Sequence, residues 1–72
     1  MHEIRAEISA NVWRVVAEVG SFVAEGDEIV ILESMKMEIP VVTEVPGVLY
    51  DLFVEEGGTV KDGDVIANID ES

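Results

Sequence analysis

The sequence contains no cysteine, and His2 is its single histidine. Disulfides are therefore excluded, and no Cys/His cluster offers a structural metal site. Basic residues are also scarce. Four Lys and Arg stand against sixteen Asp and Glu, a formal charge of −12. Such a surface repels nucleic acid and anionic membrane, and it suits protein partners with basic docking surfaces. No apolar stretch approaches the ~20 residues that a membrane helix needs. No basic segment followed by an apolar run marks a secretory leader. With no cysteine to be oxidised, the chain is expected in the cytoplasm. Linkers rich in Gly/Ser or Pro/Ala are missing too. A single domain over residues 1–72, monomeric on its own, is the expectation. Nothing resembles a nucleophile with its base or a phosphate-cradling loop, so no catalytic residue is assigned.

What the chain does have is apolar bulk. Hydrophobic residues make up 49% of the 72, and most are Val and Ile. A domain of this size buries only roughly 60% of its chain surface, so the core must come from these side chains alone. Their content argues against disorder despite the charge. Their β-branching favours strands over helices.

The chain also aligns with itself. Gly26-Asp27 and Gly63-Asp64 lie 37 residues apart, and at that offset the remainder follows without gaps. Ile8 meets Val45, Trp13 meets Tyr50, Val15 meets Leu52 and Val16 meets Phe53. Glu18 meets Glu55, Gly20 meets Gly57 and Val23 meets Val60. Ile29 meets Ile66, and Leu32 meets Ile69. The repeat halves run over about 6–34 and 43–71. Two copies that each expose an apolar face bury those faces against one another.

Within each copy the pattern is strands and turns. Strands are expected over 3–8, 12–18, 28–34, 37–42, 48–54 and 65–69. Turns are expected at Gly20, Gly26-Asp27, Pro46-Gly47, Gly57-Gly58 and Gly63-Asp64. Short strands at this spacing predict an all-β sandwich or flattened barrel. The polar Asn68 orients its strand, so Ala67 and Ile69 should point inward. By the offset, Val30 and Leu32 should do the same, with Ile31 outside. Trp13 and Tyr50, at matched positions, are expected to be packing aromatics, with contact to a partner as the alternative.

The repeat fails at one segment, Glu33-Ser34-Met35-Lys36-Met37-Glu38, which joins the two halves. A two-residue hairpin over Met35-Lys36 is expected there. Such turns need positive φ at both central residues and normally use Asn-Gly or Asp-Gly. Met and Lys in that conformation cost about 1–3 kcal/mol. Local chemistry at odds with the global pattern points to a functional site. Ser34 and Met37 would be neighbours across the turn, with Glu33 opposite Glu38. Apart from Met1, the only methionines flank Lys36 on either side. The one other lysine, Lys61, lies in a turn beside Asp62-Gly63 and is expected to be an ordinary solvated side chain.

This segment resembles the attachment motif of the biotinyl domains in the biotinyl/lipoyl family, Ala-Met-Lys-Met. Here it reads Ser34-Met35-Lys36-Met37, with Glu33 before it and one small residue exchanged for another. The resemblance extends from Ile4 to Ile69. It implies a flattened barrel of two four-stranded antiparallel sheets related by a pseudo-two-fold axis, with Lys36 on an exposed hairpin turn. It further implies biotin joined covalently to Lys36 by a biotin protein ligase. Glu33, Ser34, Met35, Met37 and Glu38 would form the recognised surface. Biotin would then carry a carboxyl group between a biotin carboxylase and a carboxyltransferase, with the chain as carrier rather than enzyme. A lipoyl carrier remains the alternative within the family, although its motif is typically Asp-Lys-Ala. An unmodified binding barrel remains the alternative outside it.

Overall fold

The computed structural model describes residues 1–71. Among them are eight strands and no helix: β1 His2–Arg5, β2 Ala10–Val15, β3 Phe22–Val23, β4 Glu28–Ser34, β5 Met37–Val42, β6 Gly47–Leu52, β7 Thr59–Val60 and β8 Val65–Asp70. They form two four-stranded antiparallel sheets, ordered β1-β8-β6-β3 and β5-β4-β2-β7. Packed face to face, these make the expected sandwich. β4 and β5 have the anticipated bounds. The two-residue strands β3 and β7 lie in stretches whose glycines read as turns, and they are too short for an alternating pattern to register.

The repeat is the symmetry of the fold. An offset of 37 residues carries β1 onto β5, β2 onto β6, β3 onto β7 and β4 onto β8. Applied to the sheets, it converts the order β1-β8-β6-β3 into β5-β4-β2-β7. Each sheet thus contains strands from both halves.

Turn chemistry repeats with the strands. Asp27 N–H donates to Ala24 O at 3.0 Å, and the Asp27 carboxylate accepts from Ala24 N–H at 2.9 Å. In the second copy Asp64 N–H donates to Lys61 O at 2.9 Å, and the Asp64 carboxylate accepts from Lys61 N–H at 2.9 Å. Gly26 and Gly63 occupy the third position of these turns with φ of 90° and 93°. A side chain there is strained, which explains the Gly-Asp pair in both copies. The same turns join the halves. Thr43 N–H donates to Asp27 O, and Ala6 N–H donates to Asp64 O.

Bulges recur as well. Between β2 and β4 the register skips Trp13, and between β6 and β8 it skips Tyr50. An extra residue on one strand bends it and re-aims a side chain. Trp13 and Tyr50 are accordingly 43% and 55% exposed. The expectation that they pack as matched aromatics is not met, because the bulges turn both outward. The Arg14 guanidinium lies over the Trp13 ring, 4.8 Å from its centroid.

A second pair of register shifts skips Ile29 in β4 and Ile66 in β8. Consecutive residues can then both face inward. Ile29 and Val30 are fully buried, as are Ile66 and Ala67. Leu32 and Ile69 are buried as the pattern required, and Ile31 and Asn68 are only partly so. With Leu49, these residues fill the space between the sheets. Each fully buried Ile or Leu contributes roughly 1.5–3 kcal/mol. Thr43, the one buried polar side chain among the described residues, donates its hydroxyl to Val45 O at 2.6 Å.

Gly47 opens β6 beside the end of its antiparallel neighbour β8. A Cβ there would run into the Asp70 carbonyl oxygen and approach Ile69 Cγ2 to 2.8 Å. Gly63 has open space around it and is constrained only by its φ. Substitutions should separate the two causes. Gly47→Ala is expected to cost about 1–3 kcal/mol through overpacking, and Gly47→Asn at least as much. Gly63→Ala should cost about 1–2 kcal/mol through backbone strain, most of it recovered in Gly63→Asn because Asn tolerates positive φ. Urea denaturation of the four variants measures this.

Candidate functional site

The hairpin between β4 and β5 is the turn expected from the sequence. Ser34 pairs with Met37, and Glu33 pairs with Glu38. Met35 and Lys36 carry φ of 52° and 65°, and they are the only non-glycine residues with positive φ among those described. This is the two-residue turn whose twist matches that of the strands, built from residues that resist it. The strain is tolerated because both strands are held. β4 lies inside its sheet between β5 and β2, and its Ile29, Val30 and Leu32 are locked in the core. β5 is an edge strand, which accommodates Pro40 and its missing N–H.

The side chains at the tip are presented to solvent. Met35 is 91% exposed, Met37 is 61% exposed, and Lys36 is also exposed. Two exposed methionines contribute nothing to the core, which removes gap filling as their reason. Among the described residues, the Lys36 ammonium has no hydrogen-bond or ion-pair partner. Glu33 and Glu38 stand directly across from one another, an arrangement slightly unfavourable for the bare pair. They put negative charge at the base of the turn. The amine thus stands free of partners and open to solvent at the tip of the turn.

Four further residues near the tip are invisible to local sequence reasoning. β2 brings Asn11 opposite Glu33 on one side and opposite Thr59 of β7 on the other. Ser9 and Lys61 flank these strands, and the Asp62 N–H donates to Ser9 Oγ at 3.4 Å. Together with Met35 and Lys36 they line a cleft of about 500 Å³ beside the hairpin. Lys61 is exposed, as expected of a surface residue, and it borders the same cleft as Lys36. These are the only two lysines of the chain. No local motif announces this grouping, because it depends on the pairing of β2 with β7. Among the described residues, no cluster of His, Asp or Glu is suited to a metal ion.

Comparison with known proteins agrees with this geometry. The family of biotin/lipoyl domains described as "Biotin-requiring enzyme" matches residues 3–69. A biotinylated protein TB7.3 homolog of Mycobacterium leprae is 46% identical over 67 residues, 93% of this chain and 94% of that protein. The urea carboxylase of Kluyveromyces lactis superposes with a TM-score of 0.89 at 34% identity, covering 94% of this chain but 6% of the enzyme. The lipoyl domain of the 2-oxoglutarate dehydrogenase complex from Azotobacter vinelandii superposes with a TM-score of 0.81 at 25% identity, over 96% of this chain and 95% of that domain. With the family's match spanning nearly all of its strands, the chain belongs to the biotin/lipoyl attachment domains.

Proposed function

We propose that Lys36 is the residue to which biotin is attached, and that the chain serves as a carboxyl carrier for a biotin-dependent carboxylase. The single observation that carries this is the exposed, strained Met35-Lys36 turn with a partner-free amine at its tip. Its Met-Lys-Met sequence supports biotin over lipoate, since the lipoyl motif places an acidic residue before the lysine. Relatives that are biotinylated proteins or carboxylases support the same choice.

The attachment chemistry asks little of the carrier. A biotin protein ligase supplies biotin as its acyl-adenylate. The Lys36 ammonium would lose one proton to the ligase or solvent before the free amine attacks the acyl carbon, and the nitrogen would lose a second as the amide forms. An amide C–N bond forms, the bond from carbon to the phosphate oxygen breaks, and AMP leaves with the electron pair. The turn holds the amine clear of the sheet and gives the ligase a fixed shape to recognise. Met35 and Met37 offer flexible thioether side chains to the ligase pocket. Glu33, Ser34 and Glu38 complete the surface it meets. Once attached, biotin supplies carboxyl-carrying chemistry between a biotin carboxylase and a carboxyltransferase. The domain's own part is to keep the arm exposed on a rigid base. Its charge of −12 favours enzymes whose docking surfaces are basic.

Intact mass after incubation with a biotin protein ligase, ATP and biotin tests the assignment. One biotin is expected on the wild type and none on Lys36→Arg. A wild type that gains no mass removes the reading. Lipoylation by a lipoate ligase under matching conditions would replace it with a lipoyl carrier. A second variant separates turn strain from recognition. Met35→Asn should stabilise the domain by about 1 kcal/mol, because Asn accepts positive φ. It should nevertheless be biotinylated more slowly than wild type, since the ligase loses a methionine. Urea denaturation and a time course of modification read the two effects separately.

A further inference from the structure

The two ends of the sandwich are related by the repeat, yet they differ in chemistry. At the hairpin end stand Ser9, Asn11, Thr59 and Lys61. At an offset of 37 residues, their counterparts at the opposite end are Pro46, Val48, Phe22 and Ala24. The backbone is alike in both places: Asn11 pairs with Thr59 as Val48 pairs with Phe22. Each of the four positions carries a hydrogen-bonding side chain at the hairpin end and none at the other. Fold requirements common to both copies do not produce that difference, so its origin lies in something present at one end only. What that end has alone is the Met35-Lys36 turn.

We propose that the cleft beside the turn is the resting site of the biotin ring carried by Lys36 when no enzyme is engaged. The inference rests on Lys36 being the attachment residue. Lys36 itself lines the cleft, so the arm starts at its wall. The ring of biotin presents two ureido N–H donors, one carbonyl acceptor and an apolar thioether edge. Asn11 offers a carboxamide with both a donor and an acceptor, complementary to the ureido edge. The Thr59 hydroxyl and the Lys61 ammonium are further donors for the carbonyl. Half-buried Ala10 and exposed Met35 give apolar surface, and Glu33 and Ser34 of β4 border the cleft beside Asn11. Among the described residues, the side chains of Asn11, Thr59 and Lys61 hold no hydrogen bond or ion pair that the ring would have to displace.

A weak site is enough for this role. A tethered ring experiences an effective concentration on the order of millimolar, so a millimolar affinity leaves it docked about half the time. Such a site holds the ring against the domain between visits without withholding it from an enzyme that binds it more tightly.

Two-dimensional amide NMR of the intact chain, before and after biotinylation, tests the proposal. Mass spectrometry of the same sample first establishes that one biotin is present; if none is gained, the attachment reading itself fails. With biotin attached, the Asn11 side-chain amide and the backbone amides of Ser9–Asn11 and Thr59–Asp62 are expected to shift. Nuclear Overhauser contacts should link biotin ring protons to the Thr59 methyl. In Asn11→Val, which copies the opposite end, the loop shifts should largely vanish while biotinylation remains complete. Shifts confined to residues 34–37 in the biotinylated wild type would overturn the resting site and leave the attachment reading intact. Loop shifts that persist unchanged in Asn11→Val, without ring contacts, would overturn it as well.

Discussion

The two copies of the repeat interlock strand by strand, and the rest of the structure depends on that interlock. β8 and β6 of the second copy sit between β1 and β3 of the first, and in the other sheet β4 and β2 of the first copy separate β5 from β7. Neither copy can complete a sheet or cover its apolar face alone. Mutual burial of Ile29, Val30 and Leu32 with Ile66, Ala67 and Ile69 is therefore a condition of folding. In a chain of 72 residues without disulfides, this shared core replaces covalent staples. The backbone bonds from Thr43 to Asp27 and from Ala6 to Asp64 then fix how one copy sits on the other.

The same symmetry sets aside a place for function. β4 runs into β5 through Met35-Lys36, whereas the equivalent pair, β8 and β1, has no such connection. The turn is thus the one tight connection that lies outside the repeat, and it is free of the repeat's packing demands. Its positive φ values would not persist on a loose loop. They persist here because β4 is anchored by three buried side chains and paired on both sides. Strain and exposure at Lys36 share one cause, a core that ends just before the turn begins.

Electrostatics and polarity follow the same division. The chain carries −12 overall, yet both lysines face the cleft at the hairpin end. At the opposite end the equivalent positions are apolar, and Phe22 is left 68% exposed. The two copies share one backbone arrangement and present different surfaces. Backbone hydrogen bonds and buried side chains are common to both halves.

Much of this was legible in the residues themselves. The Gly-Asp turns, the matched apolar positions and the interruption at Glu33–Glu38 led to a two-fold sandwich with a hairpin over Met35-Lys36. Each of these signals is local or periodic, and pairing within a hairpin needs only adjacent sequence. The bulges at Trp13 and Tyr50 were not legible. They arise where one strand carries an extra residue relative to a partner distant in sequence, and alternation along a single strand does not register that. β3 and β7 escaped for a similar reason, being two residues long and defined only by the strands they join. The grouping of Ser9, Asn11, Thr59 and Lys61 around Lys36 was hidden as well, and Lys61 read as a plain surface residue. Sequence alone determined the repeat, the turn and the identity of the lysine on it, because each is written in adjacent residues or at a constant offset. Tertiary structure decided which side chains surround that lysine, because the pairing of β2 with β4 and β7 is what brings distant residues to one end.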